Sequence, residues 1–317
     1  MTTAATEHQI DRDAARGMAL MAGAMLIVPG LDATAKYLSA TLSPIQIAFL
    51  RYLIQSLILV AIVMVMRRPL VSHATIALMP KFALCGAFIA TAAGALFWAF
   101  QYLPLANAIA IFFVEPLVLT AFGAIFLGEK VGIHRASAVA VGLLGALIVI
   151  RPNFALFGWP ALLPLVAAVA FAGLMTTMRS MRTGMDALRV QTISGAFATL
   201  FLGIALLVGH LGGVSSLTYV APTSAEWTIL VAIGIIATAT QAMFTLAVRF
   251  AEASLLAPFQ YLEIVGATAF GYLIFEEFPD ELTWVGTAII LAAGLYVIHR
   301  ERVRARARMR ARQMPLA

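Results

Sequence analysis

Long apolar runs alternate with short polar breaks along this chain, and the runs have membrane length. A bilayer span needs about 20 apolar residues, with a range of roughly 17–25. Such runs fall near 17–38, 45–66, 82–101, 105–127, 135–151, 158–178, 188–209, 227–248, 254–275 and 283–299. The pattern predicts an all-α membrane protein with ten transmembrane helices. Runs three and four are divided only by Tyr102, Leu103 and Pro104. A polar stretch, residues 1–16, precedes the first run. It lacks the short apolar core and small-residue cleavage site of a signal peptide, so the first span is expected to be retained. A basic tail, residues 300–317, follows the last run.

One run breaks the apolar rule from within. Residues 107–129 read NAIAIFFVEPLVLTAFGAIFLGE, with Glu115 and Pro116 at the middle. A carboxylate at that depth is costly, so it must face protein or a water-filled cavity. Proline removes a backbone donor and opens the helix locally. The same pattern returns 148 residues later, where Glu115 falls on Glu263, Phe122-Gly123 on Phe270-Gly271 and Glu129 on Glu277. The next segment keeps that register, with Leu147, Val149 and Ile150 falling on Leu295, Val297 and Ile298. The opening spans match at an offset of 143, which puts Gly30 on Gly173 and Lys36 on Arg179. Two repeats, 17–151 and 158–299, are therefore expected. Five spans is an odd number, so the halves insert in opposite orientations. An inverted repeat points to a transporter with its substrate site near the midplane, where the halves meet.

Charge supports the count of ten. With the N-terminus in the cytoplasm, one face carries Arg12, Arg16, Arg67, Arg68, Lys81, Lys130, Arg135, Arg179, Arg182, Arg189, Arg249 and the arginines of the tail. The loops of the other face carry only Arg151 among arginines and lysines, with acids at Glu226, Glu276, Glu277, Asp280 and Glu281. This is the positive-inside asymmetry, and it predicts both termini on the cytoplasmic side. The chain is 62% apolar and 11% charged over 317 residues, far from a soluble composition. Its formal net charge of +6 does not indicate nucleic acid, because the basic residues sit at segment ends. The tail from His299 reads as a topology anchor against anionic lipid. The single cysteine, Cys85, lies in an apolar run and leaves no internal disulfide. HExxH, GxSxG, GxGxxG and GxxxxGK[ST] are all absent, and the five histidines lie at ends or in loops. No enzyme, metal or cofactor constellation is legible, and the lack of an ATP motif argues against a self-contained pump.

The polar and aromatic residues inside the runs are the candidates for chemistry. Asp32 and Lys36 are four apart and share a helix face, just after Pro29-Gly30, where a kink is expected. They read either as cavity-lining groups or as a pair that satisfies itself, with Lys36 reaching outward. Arg51 is the only strong cation well inside span two. It can pair with Asp32 or hold an anionic group of a substrate. Glu115 and Glu263 suit proton binding and release, or else accept hydrogen bonds from neighbouring helices. Asn107, Gln241 and Gln260 are further hydrogen-bonding candidates. Trp98, Tyr102, Phe112, Phe113, Phe259 and Tyr261 lie on or beside the spans that carry these acids, and flat ligands stack on such rings. Ordinary packing accounts for each ring taken singly; together they favour a flat aromatic substrate. Gly142 and Gly145, and Gly286 with Gly294, permit close helix approach.

Four stretches carry a resemblance: GLDATAKYL, LSPIQIAFLRYL, YLPLANAIAIFFVEPLVLTAFGAIFLGEK and RFAEASLLAPFQYLEIVGATAFGYLIFEE. Over residues 17–299 the chain resembles the EamA branch of the drug/metabolite transporter superfamily. The resemblance implies two inverted five-helix halves around a central cavity, with Asp32, Arg51 and Glu115 lining it. Its first half, GMALMAGAMLIVPGLDATAKYLS, is similar to a bacterial riboflavin-importer subgroup. The resemblance implies uptake of riboflavin, with export of amino acids, drugs or other metabolites as the rival. No obligatory protein partner is evident. An intramembrane enzyme would need a nucleophile or metal dyad, and none is visible; a passive channel would lack saturation and counterflow.

Overall fold

The computed structural model describes residues 2–67, 73–128, 133–181, 186–214, 217–251 and 253–313. Arg68, Glu129, Lys130 and Arg182 lie outside the described residues. The described residues form helices and no strand: α1 (Thr2–Leu38), α2 (Pro44–Val65), α3 (His73–Ala77), α4 (Met79–Phe100), α5 (Leu105–Phe112), α6 (Glu115–Leu127) and α7 (Ile133–Phe157). A short 3-10 turn, Trp159–Leu162, leads into α8 (Leu163–Ser180), α9 (Ala187–Leu211), α10 (Ser224–Phe250), α11 (Ala253–Gln260), α12 (Leu262–Phe275) and α13 (Glu281–Gln313).

Among the described residues, eight stretches are long and apolar enough to cross a membrane: Asp13–Leu38, Pro44–Val65, Met79–Phe100, Leu105–Leu127, Ala136–Phe157, Trp159–Ser180, Ala187–Leu211 and Ser224–Phe250. They overlay the first eight expected runs. The ninth expected run is split between α11 and α12, each too short alone, and the tenth supplies only Glu281–Val297 as apolar helix.

Local chemistry sets the boundaries. Pro44 opens α2, where its missing N–H costs nothing. Thr223 and Glu226 close a reciprocal capping box on α10. Gly128 ends α6 in the left-handed region, with φ 67°. Pro29 lies inside α1, which runs unbroken past it. Its ring packs against Gly266 of α12, where an added β-carbon would lie 2.6 Å from Pro29 Cγ. Thr34 Oγ1 donates to Gly30 O at 2.6 Å and holds the turn that follows.

The helices interleave. α1 packs on α10 and α12, α8 packs on α4 and α6, α2 lies against α9 and α10, and α7 pairs with α13. Leu38, Ile47, Phe100, Ile109, Ile111, Val114, Val149 and Ala167 belong to one shared core. Lipid is as apolar as these side chains, so close backbone approach has to hold the helices together. α7 and α13 achieve it through glycine. A β-carbon on Gly286 would lie 2.7 Å from Gly145 O, and one on Gly145 would lie 3.0 Å from Gly286 O. The outside stays apolar, with Leu57, Met64, Leu144 and Leu273 exposed, as a lipid-facing surface requires.

Candidate functional site

Two helix breaks define the centre. α5 ends at Phe112 and α6 restarts at Glu115; α11 ends at Gln260 and α12 restarts at Leu262. Glu115 and Glu263 each stand in the first turn of the restarted helix. The positive end of the helix dipole favours an acid there, which helps to accommodate a carboxylate inside an apolar span. Pro116 occupies the first turn of α6, where it sacrifices no helical bond. Phe113 and Tyr261, in the two breaks, meet with ring centroids 5.5 Å apart. The Tyr261 hydroxyl presses on Gly294 of α13, where a β-carbon would collide with it. Glu115 is electrostatically coupled to Tyr261 and to Arg179 of α8. Phe112 stacks edge-on to Phe171 of α8 at 5.7 Å.

Asp32 and Arg51 form the second part. Asp32 of α1 is 7% exposed and is coupled electrostatically to both Arg51 and Glu263. The Arg51 guanidinium lies 4.9 Å from the Tyr52 ring centroid and 5.6 Å from that of Phe97. Its Nε is buried with no hydrogen-bond partner. One turn further along α2, the Gln55 side-chain oxygen is likewise buried and unpartnered.

Lys36 leaves Asp32 and turns elsewhere. Its Nζ reaches Glu277 at 2.6 Å and donates to Leu103 O at 2.8 Å, above the Phe275 ring. Glu277 Oε2 accepts from Leu105 N at 3.3 Å. This cluster ties α1, the α4–α5 turn and the end of α12 together. Trp98 stands edge-on to Trp159 at 5.4 Å, and its Nε1 has no partner. Asn107 Nδ2 donates to Asn153 Oδ1 at 2.9 Å, and Asn153 Nδ2 donates to Val149 O at 2.6 Å. Tyr102 is exposed beyond α4, and Gln241 and Gln260 are half-buried on α10 and α11. Phe259 packs in the α1–α11 cluster around Met21, Ala24 and Leu256.

The structure thus brings Asp32, Arg51, Glu115, Tyr261 and Glu263 to the middle, with Phe112 alongside. It takes Lys36 and Asn107 into other contacts. Sequence reasoning had Phe113 among its aromatic candidates and missed Gln55, Phe97 and Asn153. Of these, only Gln55 had a sequence signal, its spacing of four from Arg51. Among the described residues no group of His, Cys, Asp and Glu is arranged to hold a metal. Cys85 is buried and free.

Apolar, lipid-facing helices around a small buried polar centre define a multi-pass α-helical membrane protein. The chain belongs to the EamA-like transporter family, whose profile matches residues 15–151 and again 158–299. That family and the relatives below are transporters, not enzymes. The chain is 32% identical over 204 residues to a riboflavin transporter from Rhizobium johnstonii, covering 64% of this chain and 65% of that protein, just under two thirds of its length. It is 30% identical over 264 residues to the pseudopaline exporter CntI of Pseudomonas aeruginosa, covering 83% of this chain and 89% of that protein. A crystal structure shares the fold at TM-score 0.56 and 18% identity, covering 88% of this chain and 95% of that one.

Proposed function

We propose that this protein is a secondary transporter that carries a small metabolite across the bacterial inner membrane by alternating access. In this reading, ten spans form two halves, 17–151 and 158–299, inserted in opposite orientations, with both tails cytoplasmic. The observation that carries it is the pair of helix breaks, with Phe113 and Tyr261 in contact between them. These two residues are related by the 148-residue repeat.

Other contacts obey the same repeat. Ser56 of α2 and Thr199 of α9, 143 apart, lie 3.2 Å from each other. Gly86 of α4 abuts Phe197 and Ser194 O of α9, while Gly234 of α10 abuts Ile54 and Arg51 O of α2. Those are the corresponding positions at offsets 148 and 143. The packing of α1 on α10 and α12 has its counterpart in α8 on α4 and α6. Residues that touch their own repeat partners lie along a two-fold axis, and rocking about such an axis exposes a midplane site to each side in turn.

Asp32, Arg51, Glu115, Tyr261 and Glu263 then form the substrate site, and Glu115 is the group that exchanges a proton during the cycle. The sharper reading is riboflavin uptake. The relative of that name and the aromatic residues Tyr52, Phe97, Phe112, Phe113 and Tyr261 support it. Export of a metabolite is the second reading, supported by the longer match to the pseudopaline exporter. Expression in a riboflavin-auxotrophic bacterium without its own importer tests the first. Growth on low riboflavin is expected. No growth, with the protein confirmed in the membrane, overturns the riboflavin reading.

A further inference from the structure

Arg51 and Gln55 carry information about the substrate that the fold alone does not. They stand one turn apart on α2 and share a face, since side chains at i and i+4 lie one above the other, roughly 5–6 Å apart at their β-carbons. That face is turned inward. Ile54, to one side of it, packs on Gly234 of α10, and Ser56, to the other, packs on Thr199 of α9. Exposed Leu57 and Met64 mark the lipid side of α2. Gln55 is 5% exposed, so its unpartnered oxygen is withdrawn from water and membrane alike.

An unpaired donor and an unpaired acceptor, both buried, each carry a desolvation cost of about 1–3 kcal/mol that a ligand able to pair them recovers. Arg51 Nε–H donates; Gln55 Oε1 accepts. The matching ligand edge therefore has an acceptor beside a donor. A carboxylate supplies acceptors only, and it would also meet Asp32, the acid already coupled to Arg51. A neutral edge avoids that repulsion. The rings of Tyr52 and Phe97 hold the guanidinium from moving to other partners. We infer that Arg51 and Gln55 together read a neutral lactam or imide edge of a planar heterocycle, with Arg51 donating to its carbonyl and Gln55 accepting from its N–H. This rests on the transporter reading above and names the substrate class of that site.

The test uses binding by the purified full-length protein in nanodiscs. Riboflavin, inosine and thymidine each carry a carbonyl beside an N–H, and 3-methylriboflavin, 1-methylinosine and 3-methylthymidine have that N–H blocked. The wild-type protein is expected to prefer at least one free edge over its methylated partner by roughly tenfold, the usual worth of one well-made hydrogen bond. In Gln55→Met, a shape-conserving change, that preference falls to about one, while binding of the methylated compound is unchanged. Equal wild-type binding of each free and methylated pair overturns the inference, and so does a preference that survives Gln55→Met. Failure of riboflavin alone removes the riboflavin reading and leaves the edge inference to be read on the other two; binding of none of the three overturns it. The methylated ligands keep the test valid if the variant fails to fold, because they need only the wild-type protein.

Discussion

A glutamate inside an apolar span is tolerated here because a helix begins at it. Glu115 and Glu263 were legible as costly residues, and the repeat made them a pair. What no pattern conveyed was that each sits in a first turn, where the positive end of the helix dipole favours an anion. Asp32 and Lys36 illustrate the opposite case. Their spacing of four suggested partnership, yet Lys36 is drawn 241 positions along the chain to Glu277. Local spacing only permits a contact, and a tertiary partner with better geometry takes it. Side-chain exposures of 11% for Lys36 and 28% for Glu277 put this ion pair mostly out of water. Lys36→Met or Glu277→Ala should each lower stability by about 2 kcal/mol, the range for hydrogen bonds to charged groups. The double variant should lose less than the sum of the two. Thermal unfolding of the detergent-purified variants measures it, and strict additivity would mean the pair is not coupled. Gln55 offered only its spacing of four from Arg51. A glutamine on an interior helix face looks the same whether its oxygen is paired or not.

At the scale of elements, ten runs were read from length and apolarity, and among the described residues eight of them are matched by a stretch of helix long and apolar enough to cross a membrane. The break in the fourth run was announced by Pro116, although the chain leaves the helix slightly earlier, at Phe113 and Val114. The break at Tyr261 was harder to see, because the nearest proline, Pro258, lies inside α11 and three residues away. Pro29 ends no helix: α1 runs past it, and Gly266 makes room for its ring. Glycine spacing was the better guide. Gly145 and Gly286 were expected to permit close approach, and they hold the α7–α13 crossing. Gly286→Val should cost about 2 kcal/mol, the middle of the range for overpacking a tight contact. It should also lower the yield of folded protein in size-exclusion chromatography. A variant as stable as the wild type would show that the crossing has slack the geometry denies.

At the scale of the molecule, the family profile matches the chain twice, over residues 15–151 and 158–299. Sequence offsets alone pointed to two related halves, but they gave no indication that related residues touch. Phe113 with Tyr261 and Ser56 with Thr199 do touch, and in the proposed reading these contacts lie where the two halves meet. Substrate identity was not legible, because it depends on a few orphaned polar atoms rather than on any periodic pattern. The account stands or falls on carrier behaviour. Proteoliposomes holding the protein and preloaded with unlabelled riboflavin, then given a labelled trace outside, measure it directly. A carrier produces saturable counterflow with a transient overshoot of label, slowed in Glu115→Gln at equal reconstitution. Riboflavin flux that is linear with concentration, shows no overshoot and is indifferent to Glu115→Gln would contradict alternating access through this site.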